Sequence, residues 1–157
     1  MFNLGGIVRP ADTGAAKKTN LSQPAPLSEE AKAQRSLELA LAAAETAADN
    51  RGQRVVVLDL RDLTCMFDYF VIASGTSRRQ LHAMSEEIDH RLEDELGDRR
   101  MGIEGYRESN WILLDYGTVV IHLFSAETRD YYAIEKLWAE AKVVDWESLV
   151  GRAKSEG

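Results

Sequence analysis

Apolar residues recur at helical intervals after Ser28, and this spacing predicts that the folded part of the chain begins with a helix. Serine is favourable just before a helix, because its side-chain oxygen accepts a hydrogen bond from a free backbone amide. Asn50 and Gly52 supply a stop at the other end. The positions predicted to share one face are Leu37, Leu41, Ala44 and Ala48.

Two further helices and five strands are predicted along the rest of the chain. Thr76 or Ser77 caps the second helix, Gly97 ends it, and its inner face is Leu81, Met84, Ile88 and Leu92. Ser125 caps the last helix, whose inner face holds Tyr131 or Tyr132, Ile134, Leu137 and Trp138. β-branched and aromatic runs predict strands at 54–60, 67–74, about 101–106, 111–115 and 118–124.

This order of elements predicts an α+β fold, an α/β sandwich in which helices cover a mixed sheet of about five strands. Adjacent strands joined by short links pair antiparallel, so a regular parallel α/β arrangement is not expected. The segment from Asp115 to Thr118 leaves two central residues between the last two strands, which is the length of a tight hairpin.

The two ends of the chain differ in composition from the middle. Residues 1–27 contain all three prolines among small polar residues, which predicts a disordered N-terminal tail. A mitochondrial transit peptide is the competing interpretation, since Asp12 is the only acidic residue there, but one arginine is few for such a signal. Residues 143–157 are predicted to be a loosely ordered tail in which Trp146 docks.

Composition limits the class of protein. A chain of 157 residues that is 45% hydrophobic suits one globular domain with a substantial core. Its one cysteine, Cys65, excludes an internal disulfide framework and fits a reducing compartment. Apolar runs are too short for a membrane span or a secretory signal, so a cytoplasmic protein without membrane contact is expected.

Charge is distributed unevenly. The net charge is −7, and residues 1–27 carry +2 from Arg9, Lys17, Lys18 and Asp12, so the remainder carries −9. An acidic domain binds phosphate backbones poorly, because that affinity comes from lysine and arginine. We therefore expect little direct contact with nucleic acid and a partner surface made mainly of protein.

Several motifs in a fixed order resemble the ribosome-silencing (Iojap) family. From Leu58 to Gln80 the chain reads LDLRDLTCMFDYFVIASGTSRRQ, with the Asp-Tyr-Phe-Val-Ile and Ser-Gly-Thr-Ser-x-x-Gln signatures. From Gly102 to Trp138 it reads GIEGYRESNWILLDYGTVVIHLFSAETRDYYAIEKLW. The second stretch contains Asp115 before Gly117, His122 in a strand, and Arg129-x-x-Tyr132-x-hydrophobic-Glu135-Lys136-Leu137-Trp138. The similarity covers about residues 28–142, which we interpret as a ribosome-silencing factor domain.

The resemblance implies a translational repressor. Members of this family bind the large ribosomal subunit through large-subunit ribosomal protein number fourteen, sterically block joining of the small subunit, and are relevant to large-subunit biogenesis. A homodimer off the ribosome is also expected. The resemblance implies no enzymatic activity and no cofactor or metal.

The family's fold is similar to that of nucleotidyltransferases, which raises the question of catalysis. Those enzymes hold Mg²⁺ with two carboxylates one residue apart on a strand. Here Glu104 stands alone, with Gly102 at the partner position, so the catalytic carboxylates are lacking. The alternative hypothesis is a nucleotidyltransferase-like enzyme or nucleotide-binding regulator that uses the Ser74-Gly75-Thr76-Ser77 turn.

The candidate partner-binding residues are aromatic and charged. Tryptophan, tyrosine and arginine dominate protein interfaces, because they bury large areas and keep a polar tip. Leu137 and one of the two tyrosines are expected in the core. The candidate interface residues are Trp111, Arg129, Tyr132, Lys136 and Asp115.

A metal site on the second helix is not expected. One face of that helix carries His82, Glu86 and His90. The two histidines are about 12 Å apart along the helix axis, too far to bind one ion, so this face is expected to be solvated.

Overall fold

The structure, a computed structural model, describes residues 25–108 and 110–157. Most of the predicted N-terminal tail, residues 1–24, therefore lies outside the described residues. The helices are α1 (Glu29–Asp49), α2 (Arg78–Asp89) with a π-helical continuation (His90–Glu95), α3 (Ala126–Tyr132), α4 (Ile134–Leu137) and α5 (Trp146–Ser155). The strands are β1 (Gln53–Asp59), β2 (Tyr69–Gly75), β3 (Gly102–Glu104), β4 (Trp111–Asp115), β5 (Val119–Ser125) and β6 (Lys142–Val143).

The strands form one mixed sheet in the order β3-β4-β5-β2-β1-β6. β2 and β5 lie parallel at its centre, and every other neighbouring pair is antiparallel. The predicted α+β class and mixed sheet are confirmed. The sheet has six strands where about five were predicted, because the two-residue β6 pairs with the end of β1 at Leu58 and Asp59.

One face of the sheet packs against α1 and α2. Ser28 caps α1 as predicted, since its Oγ accepts a hydrogen bond of 3.2 Å from the amide of Ala31. Every predicted inner-face residue of the second helix is buried, and Gly97 follows that helix with a positive φ of 71°. The buried side chains of this face include Leu39, Val57, Val71, Leu81, Met84, Ile88, Leu92, Ile112, Leu114, Ile121 and Leu123.

The opposite face carries most of the buried aromatic side chains of the sheet, and we call it the aromatic face. Side chains alternate along a strand, so every second residue of β2, β4 and β5 lies on this face. The residues between them lie on the face that packs against α1 and α2. The short helix α4 contributes Ile134 to this face, and Phe67, Trp138 and Ala141 from connecting segments also pack against it. The aromatic face is defined by Leu58, Phe70, Ile72, Trp111, Leu113, Val120, His122 and Phe124.

The last predicted helix differs from the structure. It is broken at Ala133, which has a left-handed φ of 46°, into α3 and α4. The break changes which side chains point inward, so Ile134 is buried whereas Leu137 is 76% exposed. The expectations that Leu137 and one of the two tyrosines lie in the core are therefore wrong.

The hairpin between β4 and β5 is displaced by one residue from its predicted position. The amide of Tyr116 donates to the carbonyl of Val119 over 3.0 Å, so Gly117 and Thr118 are the two central residues. Gly117 has a φ of 86°, which glycine adopts without strain. Tyr116 is buried and its hydroxyl bonds Asp89, which holds it outside the turn.

The C-terminal segment is more regular than predicted. Residues 146–155 form α5, which lies against α1, instead of a loosely ordered tail. The expectation that Trp146 docks is confirmed, since its indole Nε1 donates to the carbonyl of Val55 over 3.2 Å. Lys154 pairs with Glu45 on α1 and holds the far end of the helix.

Candidate docking surface

A continuous series of rings crosses the aromatic face. The ring centroids of Phe70 and His122 are 4.7 Å apart, and those of His122 and Trp111 are 5.9 Å apart. Trp111 in turn packs on Phe124 and on Tyr132, with centroid distances of 4.8 Å in both cases. The sheet register produces this series, because Trp111 pairs with Phe124 and its next neighbour on the same face of β5 is His122.

The series reaches the surface at α3. Trp111 is partly exposed, Tyr132 is 49% exposed, and Tyr131, which packs edge-on against Tyr132 at 5.1 Å, is 83% exposed. The two tyrosines and the edge of Trp111 therefore leave apolar area in water, and Leu137 on α4 is also 76% exposed. Exposed aromatic area of this kind is typical of a surface that a partner covers.

His122 lies beneath Trp111 and holds its polar edge. It is 3% exposed, and its Nδ1 accepts a hydrogen bond of 3.1 Å from the indole Nε1–H of Trp111. Burial lowers the pKa of His122 to about 3, so the imidazole is neutral at physiological pH. Among the described residues its Nε2 finds no hydrogen-bond partner.

Arg129 requires a correction to the predicted surface, because it is only 1% exposed. Its guanidinium forms an ion pair with Glu135, donating through Nε over 3.1 Å and through a terminal nitrogen. Its other terminal nitrogen donates to the Oγ of Ser74 over 2.8 Å. Arg129 therefore joins α3, α4 and the end of β2 from inside, and it presents no charge to a partner.

The two remaining predicted residues, Asp115 and Lys136, lie on β4 and α4. Asp115 shares a face of β4 with Trp111, four residues or about 13 Å along the strand. Its Oδ1 accepts the amide of Gly117 over 2.8 Å, so it also shapes the hairpin. Lys136 is exposed on α4. Of the predicted set, the structure brings Trp111 and Tyr132 into contact.

Sequence reasoning missed the part that His122 plays in this surface. Trp111 and His122 become neighbours through the register between β4 and β5. That register cannot be deduced from the sequence of either strand alone. The sequence also predicted, wrongly, that Leu137 is buried. Its exposure follows from the helix break at Ala133, and alanine, a favourable helix residue, gave no reason to predict a break there.

The Ser74-Gly75-Thr76-Ser77 turn uses its own polar groups internally. The amide of Thr76 donates to Oε1 of Gln80 over 2.7 Å, and Ser77 caps α2 by accepting the amide of Gln80 over 3.1 Å. A Cβ at Gly75 would lie 2.8 Å from Leu81, so glycine is needed there for packing. These contacts account for the turn as a structural element.

The polar face of α2 is likewise engaged within the protein. His82 Nε2 contacts the carbonyl of Tyr106 at 2.7 Å, and the Tyr106 hydroxyl donates to Glu86. His90 pairs instead with Asp94 at 2.7 Å. Within the described part of the chain no group of three or more His, Cys, Asp or Glu side chains is arranged to hold a metal ion. None of the helices there is long and apolar enough to cross a membrane.

Comparison with known proteins gives consistent results over most of the chain. A family model described as "Ribosomal silencing factor during starvation" matches residues 33–156. The "Ribosomal silencing factor RsfS" of Bacillus subtilis is 38% identical over 109 residues, which cover 69% of this chain and 89% of that protein. The mouse protein named "Mitochondrial assembly of ribosomal large subunit protein 1" is 45% identical over 73 residues, 45% of this chain and 32% of that protein.

Comparison with solved structures gives matches over a similar part of the chain. A crystal structure from Chromobacterium violaceum has a TM-score of 0.62 and 36% identity, and the match covers 65% of this chain and 84% of that one. A second, from Bacillus halodurans, has a TM-score of 0.58 and 34% identity, with coverage of 71% and 98%. The match to the family model and these relatives show that the chain belongs to the ribosomal silencing factor family.

Proposed function

We propose that this protein is a translational repressor that docks on the large ribosomal subunit, through large-subunit ribosomal protein number fourteen, and sterically prevents the small subunit from joining. The observation that carries the proposal is the partly exposed contact between Trp111 and Tyr132, at the open end of an otherwise buried sheet face. Interfaces depend on such aromatic anchors. Membership of the silencing-factor family supplies the ribosomal context.

The docking surface has an aromatic centre and a polar rim. Trp111 and Tyr132 form the centre, because they are in contact and keep apolar area exposed. Asp115 and Lys136 form the rim, where charged contacts set orientation and association rate more than affinity. Arg129 supports the surface from within by fixing α3, which carries Tyr132.

The partner is a protein surface rather than ribosomal RNA. The chain carries a net charge of −7, and such a molecule gains little from the phosphate backbone. Off the ribosome the same apolar area would be covered by a second copy of the chain, which gives a homodimer. The site of action is the cytoplasm, where translating ribosomes are found.

A role in large-subunit biogenesis is a further part of the proposal. Its support is the mouse relative, whose name associates that protein with assembly of the mitochondrial large subunit. One docking event serves both roles, since a factor that covers the joining surface of a new subunit also keeps it out of translation. We assign this activity to residues 28–142.

The proposed action is steric and requires no catalysis. Glu104 lies on the edge strand β3 with Gly102 at the alternate position, and the Ser74–Ser77 turn bonds its own helix. The nucleotidyltransferase-like alternative therefore has less support than docking. Incubation with Mg²⁺ and each nucleoside triphosphate should give no transfer to RNA, protein or small acceptors. Transfer that Glu104→Ala abolishes would favour the enzyme instead.

The docking function is tested with isolated ribosomal subunits. The protein should co-sediment with large subunits and not with small ones, and it should reduce formation of whole ribosomes in proportion to its occupancy, without added nucleotide. Unchanged subunit joining at saturating protein would contradict the proposal.

Variants test the location of the surface. Truncation of a hot-spot aromatic typically costs about 2 kcal/mol or more, roughly thirtyfold in affinity, so Trp111→Ala and Tyr132→Ala should each weaken binding to that extent. Trp146→Ala is the size-matched control. Trp146 is also half-buried, but it packs on the opposite face of the sheet, which α1 and α2 cover. If all three variants bind alike once folded, the docking surface lies elsewhere.

A further inference from the structure

The hydrogen bond between Trp111 and His122 lies in a part of the sheet where packing alone does not account for the choice of histidine. An imidazole with one bonded nitrogen and one unpartnered nitrogen is an unfavourable choice for a buried sheet position, where Phe70, Phe124 and Leu113 surround it. A phenylalanine ring, although slightly larger, would occupy this position without burying polar groups. The histidine must therefore provide something that a hydrocarbon ring cannot.

What it provides is an acceptor at a fixed place. The indole N–H of Trp111 is a donor only, so the nitrogen that it meets at 3.1 Å, Nδ1, must be unprotonated. The proton of the neutral ring is then on Nε2, the atom without a partner among the described residues. Burial keeps the ring in this neutral form, since it lowers the pKa of His122 far below physiological pH.

The acceptor matters most when a partner covers the surface. In the free protein Trp111 is partly exposed, so solvent borders its side chain, and water would serve as the acceptor once His122 no longer does. A docked partner excludes that water, and an indole N–H without an acceptor would then be buried with its hydrogen bond unmade. Removal of the acceptor should therefore weaken the complex while leaving the free protein intact.

We propose that His122 is a positioning residue of the docking surface, which accepts the Trp111 indole N–H so that this side chain can be buried by a partner without an unsatisfied donor. The inference rests on the docking function proposed above. His122 itself does not touch the partner, because it is 3% exposed and lies beneath Trp111.

Two substitutions at this position separate positioning from packing. His122→Phe keeps an aromatic ring and removes the acceptor. Affinity for isolated large subunits should fall about 5- to 150-fold, the range for leaving one buried donor unpaired, while the melting temperature stays equal or rises. His122→Asn keeps an acceptor near the Nδ1 position but leaves a cavity, so it should melt lower than His122→Phe and yet bind more tightly. A purely structural role gives the same order in both measurements.

A double-variant cycle identifies the donor. Trp111→Phe removes the indole N–H, so in that background His122→Phe should have no further effect on affinity. An equal loss in both backgrounds would show that His122 acts by packing and would overturn the inference, as would full affinity of His122→Phe in the parent protein. If the parent protein itself fails to bind large subunits, the docking function fails instead, and a change in the Trp111 indole N–H resonance in His122→Phe still reports the hydrogen bond.

Discussion

Replacement of Arg129 by alanine is the substitution whose outcome depends most directly on tertiary structure. The guanidinium is 1% exposed, pairs with Glu135, and donates to the Oγ of Ser74 over 2.8 Å. Removing one partner from a buried ion pair costs about 3–5 kcal/mol, because the other charge loses its compensation. Here Glu135 is partly exposed and lies 4.0 Å from Arg54, so about 2–4 kcal/mol is expected.

The measurement is urea denaturation at pH 7, with the melting temperature as a second observable. For a chain of this size each kcal/mol shifts the melting temperature by about 2–4 °C, so Arg129→Ala should melt roughly 4–16 °C lower than the parent protein. High salt should change the difference little, since a buried pair is weakly screened. Arg91→Ala is the matched control, because its ion pair with Glu95 is exposed and lies outside this network, so it should contribute less than about 1 kcal/mol.

The same variant distinguishes the interior role from a docking role. Once its lower stability is allowed for, Arg129→Ala should bind large subunits with the salt dependence of the parent protein. A variant that unfolds at the parent's urea midpoint, and that loses affinity in a salt-dependent manner, would refute the reasoning from burial. Arg129 would then be a contact of the partner, as the sequence alone suggested.

Two further predictions concern stability. Because burial lowers the pKa of His122 to about 3, the unfolded chain binds a proton at this histidine before the folded protein does as pH falls. The contribution of the neutral imidazole to the free energy of unfolding is therefore complete above about pH 6.5 and is lost toward pH 3. Urea denaturation should show a loss of about 2 kcal/mol between pH 7 and pH 5 that is absent in His122→Phe, and an equal pH dependence of the two proteins would contradict the prediction. Gly75→Ala should destabilise the protein by about 1–3 kcal/mol, because its Cβ would lie 2.8 Å from Leu81. Gly151→Ala should instead stabilise it by about 0.5–1 kcal/mol, because Gly151 lies within α5 and a Cβ there would have no atom within 4 Å. Thermal denaturation that ranks the two alanine variants equally would show that the close approach at Gly75 is not limiting.

Local patterns account for the elements that the sequence alone predicted correctly. The cap at Ser28, the inner face of α2, its end at Gly97 and the bounds of β4 each depend on residues within one or two turns or on one strand. Helical and strand periodicity record such relations directly, because both repeat over a few residues. Residue type was also sufficient to indicate Trp111 and Tyr132 as candidates for a surface.

Contacts between distant segments account for what the sequence did not reveal. Trp111 on β4 contacts Tyr132 on α3, Arg129 on α3 donates to Ser74 on β2, and β6 pairs with β1, which lies far from it in the sequence. Whether an arginine is an exposed anchor or an interior ion pair depends on what covers it, and no spacing along one helix specifies that. The break at Ala133 has the same origin. Its left-handed backbone conformation is unfavourable for alanine and persists only where the surrounding structure holds it in place. The sequence alone determined the positions of most helices and strands and the residue types available for docking. Strand register and helix packing decided which of those side chains remain exposed.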